Sequence, residues 1–204
     1  MIKTLIFDFG DVFINLNKAA TAIAFKELGI TSFSKEMQDI NKDYETGRIS
    51  TREFINFYTE KFSNFTKEQV SRSWNAIILD FPEYRLKFIE ALSEKKEYNL
   101  LLLSNTNELH IEKVIESMSE VRYNRFKNCF DGFYLSHEIH LRKPNSDIFE
   151  FILKNHNLNP NECFFVDDTE EHINTAKKIG FHTWNINPEF EDIIDLFTLK
   201  KELF

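Results

Sequence analysis

Acidic side chains stand at the ends of two short apolar segments, where a catalytic or metal site could form. Asp8 lies near the end of Thr4–Phe9, and Asp167 and Asp168 close Cys163–Asp168. Three carboxylates at one edge of a sheet repel one another by about 4 kcal/mol per pair, at about 4 Å and an effective dielectric of about 20. Such a cluster persists where a cation binds or where the pKa values rise. Oxygen ligands without nearby His or Cys favour Mg²⁺ over zinc.

Other polar residues follow two further apolar segments. Ser104 ends Leu100–Ser104 and Asn105 follows it, and Lys143 comes after Phe133–Ser136. In an open α/β sheet, ligands bind beyond the carboxyl ends of the strands. Each residue type also has an ordinary structural role, in a turn, at a helix cap or as a solvated surface charge. Their joint occurrence at strand ends favours a functional site beside Asp8.

The apolar segments predict the strands that position these residues. With a weaker fifth segment, Thr183–Ile186, they have the length and continuous apolar character of parallel strands that are buried on both faces. Segments with helical spacing separate the later strands, which is the pattern of right-handed βαβ units. The sequence therefore predicts an α/β fold with a Rossmann-like, doubly wound parallel sheet.

The alternation of strands and helices is interrupted once, between the first two strands. Roughly 90 residues there have helical patterns and are too many for a simple crossover connection. We predict an inserted helical cap domain over residues 17–82, carried by a core domain of residues 1–16 and 83–204. The candidate helices of the cap are Lys18–Leu28, Lys35–Tyr44, Thr51–Phe62 and Lys67–Leu79.

Composition limits the classes of partner. The chain has 204 residues and a formal net charge of -8, which argues against nucleic acid and anionic membrane surfaces as partners. No signal-peptide pattern or apolar run of about 20 residues occurs, so we expect no membrane partner. Cys129 and Cys163 lack metal-ligand spacing, and we expect reduced thiols in a cytoplasmic protein. Both a monomer and a homodimer remain open.

Four segments, taken together, resemble the ordered motifs of a known family. In chain order they are Leu5–Gly10, Leu101–Asn107, Arg142–Pro144 and Phe164–Asp168. They are similar to the four motifs of the haloacid dehalogenase-like (HAD) hydrolase superfamily, with an insertion where helical caps enter. The segments Ser104–Leu109 and Tyr134–Pro144 further resemble the subgroup that contains bacterial glucose-1-phosphatases. The resemblance covers nearly the whole chain.

The resemblance implies a covalent mechanism at Asp8. This carboxylate would attack phosphorus and form an aspartyl-phosphate, which splits one difficult displacement into two steps. Its other oxygen would bind Mg²⁺, together with the Gly10 carbonyl oxygen and the Asp168 carboxylate. Asp167 would bind Mg²⁺ directly or through a water molecule.

The resemblance also implies a binding site for the transferring phosphoryl group. The Ser104 hydroxyl and neighbouring backbone N–H groups, with Asn105, would hold its oxygen atoms. Lys143 would neutralise the charge that develops on this group, and such electrostatic stabilisation is usually the largest contribution to catalysis.

Two positions depart from the pattern of most family phosphatases. Gly10 stands where these enzymes carry an Asp that serves as general acid and base, and the adjacent Asp11 need not point the same way. We therefore expect a preference for leaving groups that depart with little help, such as aryl and sugar 1-phosphates. His172 stands where Asp or Asn is common, and it could orient Lys143 or the metal ligands less well.

The expected substrate is a small phosphorylated metabolite, most simply a sugar phosphate. Specificity is expected to come from the cap, where Arg48 in the loop Tyr44–Ser50 either reaches an anionic or hydroxylated ligand or is a surface charge. Two other functions stay open. A haloacid dehalogenase also lacks the acid at position 10, but it needs no metal and keeps no acidic pair like Asp167 and Asp168. The second is a metal-binding regulatory protein without catalytic activity.

Overall fold

A five-stranded parallel sheet forms the centre of the computed structural model, which describes residues 1–204. Its strands are β1 (Thr4–Phe7), β2 (Asn99–Ser104), β3 (Gly132–Leu135), β4 (Cys163–Asp167) and β5 (His182–Asn185). Their order across the sheet is β3-β2-β1-β4-β5, and Ile6 of β1 lies between Leu101 and Phe165 of its two neighbours. Each strand overlaps a predicted segment. The predicted α/β class with a doubly wound parallel sheet is confirmed.

Helices surround the sheet and also fill the long segment between β1 and β2. None of them combines the length and the apolar character needed to cross a lipid bilayer. The helices are α1 (Ala20–Glu27), α2 (Lys35–Glu45), α3 (Thr51–Lys61), α4 (Lys67–Asn75), α5 (Glu83–Lys95), α6 (Glu108–Met118), α7 (Glu120–Lys127), α8 (Ser136–Ile139), α9 (Ser146–Asn155), α10 (Glu170–Ile179) and α11 (Leu196–Leu199).

Strand order places the acidic residues at the centre of the sheet. From β1 the chain moves to β2 and β3 on one side, then returns to β4 and β5 on the other. This change of direction separates the loops that leave the carboxyl ends of β1 and β4, and it opens a crevice there. Asp8 follows β1 and Asp167 ends β4, so both lie at the crevice.

Apolar side chains cover both faces of the sheet, as expected for parallel strands. On one face, Leu101 and Phe165 pack against Phe149 and other residues of α9 and α10. On the other face, Phe7 belongs to a phenylalanine-rich core in which the rings of Phe13 and Phe126 meet edge to face, with centroids 5.0 Å apart. Burial on both sides leaves the strand ends as the places where polar residues reach solvent.

Helices α1–α4 share a hydrophobic core of their own, built around large aromatic side chains. The rings of Tyr44 and Phe54 stack at 4.3 Å between centroids. Local sequence fixes where three of these helices begin: Ser34, Ser50 and Thr66 each accept a hydrogen bond from a backbone N–H three residues later. The predicted boundaries of the inserted domain, 17 and 82, stay a prediction.

The two chain segments that lead into and out of α1–α4 run side by side. Asn15 donates its backbone N–H to Asp80 O at 2.9 Å and accepts from Leu79 N at 3.1 Å. One step further on, Leu16 and Ile78 form an antiparallel bridge. These bonds satisfy backbone groups that the half-buried connections would otherwise leave unpaired.

A nearly buried arginine holds one of these connections to the C-terminal part of the chain. The Arg85 guanidinium, 6% exposed, donates to Asp192 through Nη2 at 2.9 Å and also to Asn15 Oδ1 at 2.9 Å. Burial alone would raise the pKa of Asp192, but its hydrogen bonds from Arg85 and Tyr84 outweigh burial and lower it. The pair therefore stabilises the fold when Asp192 is ionised.

We expect Asp192→Asn to lower the free energy of unfolding by about 2 kcal/mol at pH 7, because Arg85 loses its charged partner. The depressed pKa places this stabilisation above about pH 4 and removes it as the pH falls through the pKa of the folded protein. Urea unfolding at pH 7 and in acid measures both effects. Asp195→Asn, an exposed neighbour without an ion pair, is the control; equal losses in the two variants would contradict the role of Asp192.

Candidate active site

Three carboxylates meet at the crevice where β1 and β4 end. One carboxylate oxygen each of Asp8, Asp167 and Asp168 lies within 4.8 Å of the other two. Asp167 is fully buried and Asp8 nearly so. The structure thus brings together the acidic residues that were predicted from separate strand ends.

A buried ammonium group lies against two of these carboxylates. Lys143 Nζ is 2.7 Å from Asp8 Oδ1 and 2.6 Å from Asp167 Oδ2, and the Lys143 side chain is 0% exposed. Its ammonium group also lies 5.3 Å from the ring centroid of Phe165. Lys143 is therefore no solvated surface charge, since its burial is offset by two anions and an aromatic face.

The three groups shift one another's pKa values. Burial raises the pKa of Asp8 to about 6, although the positive charge of Lys143 acts against this rise. For Asp167, burial would also raise the pKa, but Lys143 and His172 outweigh it and lower the pKa to about 2. Burial alone would lower the pKa of Lys143, and the two carboxylates raise it instead. Asp167 is therefore the permanent counter-ion of Lys143.

An amide side chain fixes the backbone of Lys143. Asn105 Oδ1 accepts from Lys143 N, and Asn105 Nδ2 donates to Lys143 O, both at 2.9 Å. The Asn105 side chain, which was predicted to bind substrate, therefore positions Lys143 instead. The backbone N–H of Asn105 has no acceptor in the protein, and both Asn105 and Ser104 line the adjacent cavity.

His172 holds Asp167 in place, in contrast to the expectation that it would orient the site less well. Its Nδ1 lies 2.9 and 3.0 Å from the two carboxylate oxygens of Asp167. Because Asp167 is ionised, Nδ1 must carry the proton and donate it. The backbone N–H of Thr169 donates to the same carboxylate at 2.8 Å. His172 therefore supplies the donor that an Asn would supply through its amide.

The Leu16 side chain occupies the space beside Gly10. A Cβ atom added to Gly10 would lie 2.6 Å from Leu16 Cδ1, so a larger residue there requires Leu16 to move. Asp11 does not take the place of the missing acid. Its backbone is left-handed, with φ at 53°, and its Oδ1 accepts from Leu16 N at 2.9 Å. Both oxygens of Asp11 are engaged, since Lys18 Nζ lies 3.3 Å from Oδ2.

Lys18 also contacts the third carboxylate of the cluster. Its ammonium group donates a hydrogen bond to Asp168 Oδ2, while the lysine side chain remains largely exposed. No protein group donates a hydrogen bond to the Gly10 carbonyl oxygen. This free carbonyl and the carboxylates form an oxygen-only donor set of the kind that Mg²⁺ prefers.

A cavity of about 130 Å³ lies between the strand ends and the inserted helices. Apolar side chains, among them Leu16 and Ile78, form part of its wall, and Ser104 and Glu45 are among its polar groups. Burial raises the pKa of Glu45, although Arg142 acts in the opposite direction. The cavity thus combines an apolar wall with a few polar groups, as ligand pockets commonly do.

Arg48 is placed away from this cavity. Its guanidinium pairs with Asp43 at 3.3 Å, and it lines a different cavity on the outer side of the loop. The turn before it explains the direction, because Gly47 has φ at 63° and a Cβ there would lie 2.0 Å from the carbonyl oxygen of His137. The loop Tyr44–Ser50 does reach the small cavity, but through Glu45. No pattern in the sequence around Glu45 predicts the direction of its side chain.

The arrangement leaves one carboxylate oxygen free to act as a nucleophile. Asp8 Oδ1 is held by Lys143, while no protein group donates to its Oδ2. An anionic oxygen is thus available at the crevice, with a fixed positive charge beside it. Fixed charges of this kind stabilise developing negative charge without reorganisation.

Comparisons with known proteins agree with this geometry. A sequence model of the family "haloacid dehalogenase-like hydrolase" matches residues 2–180. The chain is 30% identical over 190 residues to a D-ribitol-5-phosphate phosphatase of Bacteroides thetaiotaomicron. The aligned region covers 90% of this chain and 91% of that relative.

Solved structures show the same similarity. The magnesium complex of a HAD family enzyme of B. thetaiotaomicron has a TM-score of 0.85 at 30% identity, over 96% of this chain and 98% of that chain. Its complex with magnesium and inorganic phosphate has a TM-score of 0.83 at 30% identity, over 97% and 100%. A predicted HAD-like hydrolase of Porphyromonas gingivalis has a TM-score of 0.81 at 28% identity, over 98% and 97%.

Replacing Lys143 tests the buried charge cluster without any assumption about catalysis. Lys143→Met keeps an unbranched side chain and removes the charge, which leaves Asp167 buried without its ammonium partner. In EDTA, we expect the free energy of unfolding to fall by about 3 kcal/mol, as measured by urea unfolding. Lys113→Met removes a half-exposed lysine that pairs with Glu116 and is the control. A loss no larger than that of the control would show that the cluster does not need Lys143.

Proposed function

Because the chain belongs to the haloacid dehalogenase-like hydrolase family, we propose that it is a Mg²⁺-dependent phosphatase that uses Asp8 as a covalent nucleophile. The observation that carries this proposal is the contact of the buried Lys143 ammonium group with both Asp8 and Asp167. Burial of an ammonium group costs desolvation free energy. Its position at the crevice of the sheet indicates that the site binds a ligand with more negative charge than Asp8 and Asp167 provide.

The first step follows from the geometry of Asp8. One carboxylate oxygen forms a bond to phosphorus while the bond from phosphorus to the ester oxygen breaks, which gives an aspartyl-phosphate and a leaving oxygen that takes up a proton from a nearby carboxyl group or from water to become the alcohol. Water then attacks the same phosphorus and releases Asp8 and inorganic phosphate. Lys143 neutralises charge in both steps, and the Ser104 hydroxyl and the free N–H of Asn105 bind phosphoryl oxygens.

The donor set fits Mg²⁺, which we assign to Asp8, Asp167, Asp168 and the Gly10 carbonyl oxygen. The ion, when bound, supplies positive charge to the phosphoryl oxygens and relieves the repulsion between the carboxylates. The magnesium complexes of the B. thetaiotaomicron enzyme support this assignment, since that chain aligns over nearly the full length of this one.

The inserted helices are proposed to form a cap that defines the substrate class. Residues 17–82 contribute Glu45, Ile77 and Ile78 to the wall of the small cavity. A relative that covers 90% of this chain is a D-ribitol-5-phosphate phosphatase. Together with the likeness to sugar phosphatases, this supports a phosphorylated sugar or sugar alcohol as the substrate.

Neither alternative function gains support from the structure. A dehalogenase has no use for a cluster of carboxylates arranged as cation ligands, yet Asp167 and Asp168 lie within 4.8 Å of Asp8. A regulatory protein without catalysis would have no need of a free nucleophilic oxygen beside a buried lysine. The phosphatase is therefore the function that the site supports best.

We expect phosphate release from a panel of sugar and sugar alcohol phosphates to depend on both Mg²⁺ and Asp8. Asp8→Asn keeps the shape of the side chain and removes the attacking charge, so turnover should fall by at least about 10³-fold. Asp39→Asn, at an exposed position on α2, is the control. Substantial turnover by Asp8→Asn, or undiminished turnover in EDTA, would refute the mechanism.

Glu45 is the carboxyl group of the cavity that can protonate a leaving alcohol. Leu16 fills the place of the usual acid, and the ester in D-ribitol 5-phosphate has a primary alcohol as its leaving group, which departs poorly without a proton. We expect Glu45→Gln to lower kcat/KM about 10²-fold for alkyl phosphates and little for aryl phosphates. Asp43→Asn, two residues earlier, half-exposed and outside the small cavity, is the control. A uniform loss across both substrate types would assign Glu45 a structural role only.

A further inference from the structure

Basic side chains gather in one surface cavity, although the chain as a whole is acidic. The cavity has a volume of about 220 Å³ and lies between the end of α2, the turn after it and the loop before α9. Lys42, Arg48, His140 and Arg142 line it, whereas Asp147 is its only acidic lining residue. The lining residues therefore carry a net positive charge, which attracts anions, and the Arg48 and Arg142 guanidinium groups also pair with Asp43 and Glu45 just outside the lining.

Backbone groups add to the positive character of this basic cavity. Helix α9 begins at Ser146 after Asn145, whose side chain makes no capping hydrogen bond. Asn145 and Asp147 both line the cavity, so the first turn of α9 lies at its wall. Uncapped N–H groups at a helix start carry partial positive charge and bind anions.

Arg142 has hydrogen-bonding capacity that the protein leaves unused. Its Nη2 donates to Glu45 Oε2 at 2.9 Å, while its Nε is buried and has no partner. A buried donor without an acceptor is costly, by about 1–3 kcal/mol. Nε does not reach the basic cavity in its present position, but a turn of the Arg142 side chain toward a bound oxyanion would give it an acceptor, and a guanidinium group suits such ligands through its paired donors.

The Glu45–Arg142 ion pair lies between two cavities. Glu45 lines the small cavity that also contains Ser104, and Arg142 lines the basic cavity. An anion that draws Arg142 toward itself would weaken the hold on Glu45. Through this ion pair, a ligand bound in one cavity can change the affinity of the other cavity for its ligand.

We propose that the basic cavity binds the phosphate group of a small metabolite at a second site, distinct from the site of Asp8. Lys42 and Arg48 contribute charge from the inserted helices, and Arg142 contributes paired donors from the loop before α9. A phosphate group carries about two negative charges near neutral pH and several acceptor oxygens. It can therefore pair with three cationic side chains, whereas a carboxylate has one charge and two oxygens.

Sulfate, a tetrahedral oxyanion that cannot be hydrolysed, is the probe. Backbone amide NMR spectra of the Mg²⁺-loaded protein follow a sulfate titration at constant ionic strength. We expect saturable shifts at Thr46, Arg48 and Leu141, separate from any shifts at Ser104 and Asn105 that report the first cavity. Acetate at the same ionic strength should produce much smaller shifts at the basic cavity.

Removing two charges should weaken this binding selectively. In Lys42→Met/Arg48→Met, we expect the Kd for sulfate at the basic cavity to rise at least about 10-fold, which corresponds to about 1.4 kcal/mol. The control, Lys35→Met/Arg52→Met, removes two basic residues of α2 and α3 that do not line this cavity. Shifts that do not saturate, that acetate reproduces, or that persist equally in both double variants would overturn the proposal.

Discussion

The contact of one buried ammonium group with two carboxylates is the interaction on which the centre of this molecule depends. Lys143 comes from the loop between α8 and α9 and contacts both Asp8, after β1, and Asp167, at the end of β4. Each of the three charges would be costly alone, and together they remain buried because every one has a partner. The surrounding bonds serve this cluster. Asn105 clamps the backbone of Lys143, and His172 fixes the carboxylate of Asp167.

The sequence predicts this cluster because strand ends are visible in it. Continuous apolar segments identify β1, β2 and β4, and parallel strands bring their carboxyl ends to one edge. The placing of Asp8, Ser104 and Asp167 at one edge therefore follows from the amino-acid pattern alone. The doubly wound sheet and the helices before residue 80 follow from the same periodicity. These features depend on patterns that extend over many residues.

The parts that escaped prediction depend on the direction of single side chains. Nothing in the sequence says that Asn105 pairs with the backbone of Lys143, or that Leu16 folds back against Gly10. Arg48 has a more suggestive charge than Glu45, whereas the left-handed turn at Gly47 decides which of the two faces the cavity. Such directions are set by contacts between residues far apart in the chain, and no local pattern encodes them.

The paired connections to the inserted helices bear on how such a chain can be assembled. Asn15 and Asp80 are hydrogen-bonded neighbours although 65 positions separate them, so the insertion leaves the sheet and returns to it at one point. The residues between Asn15 and Asp80 are thus joined to the sheet in the same way as a long hairpin loop. An insertion of another length can join the sheet at the same two points if the spacing of its ends matches, but it must also replace the contacts that Tyr44 and Trp74 make with Leu109 and Asn107. The junction thus leaves Asp8, Lys143 and Asp167 with the sheet and places Glu45 in the insertion, so a mutation in the inserted helices can alter the cavity wall without displacing the charged cluster.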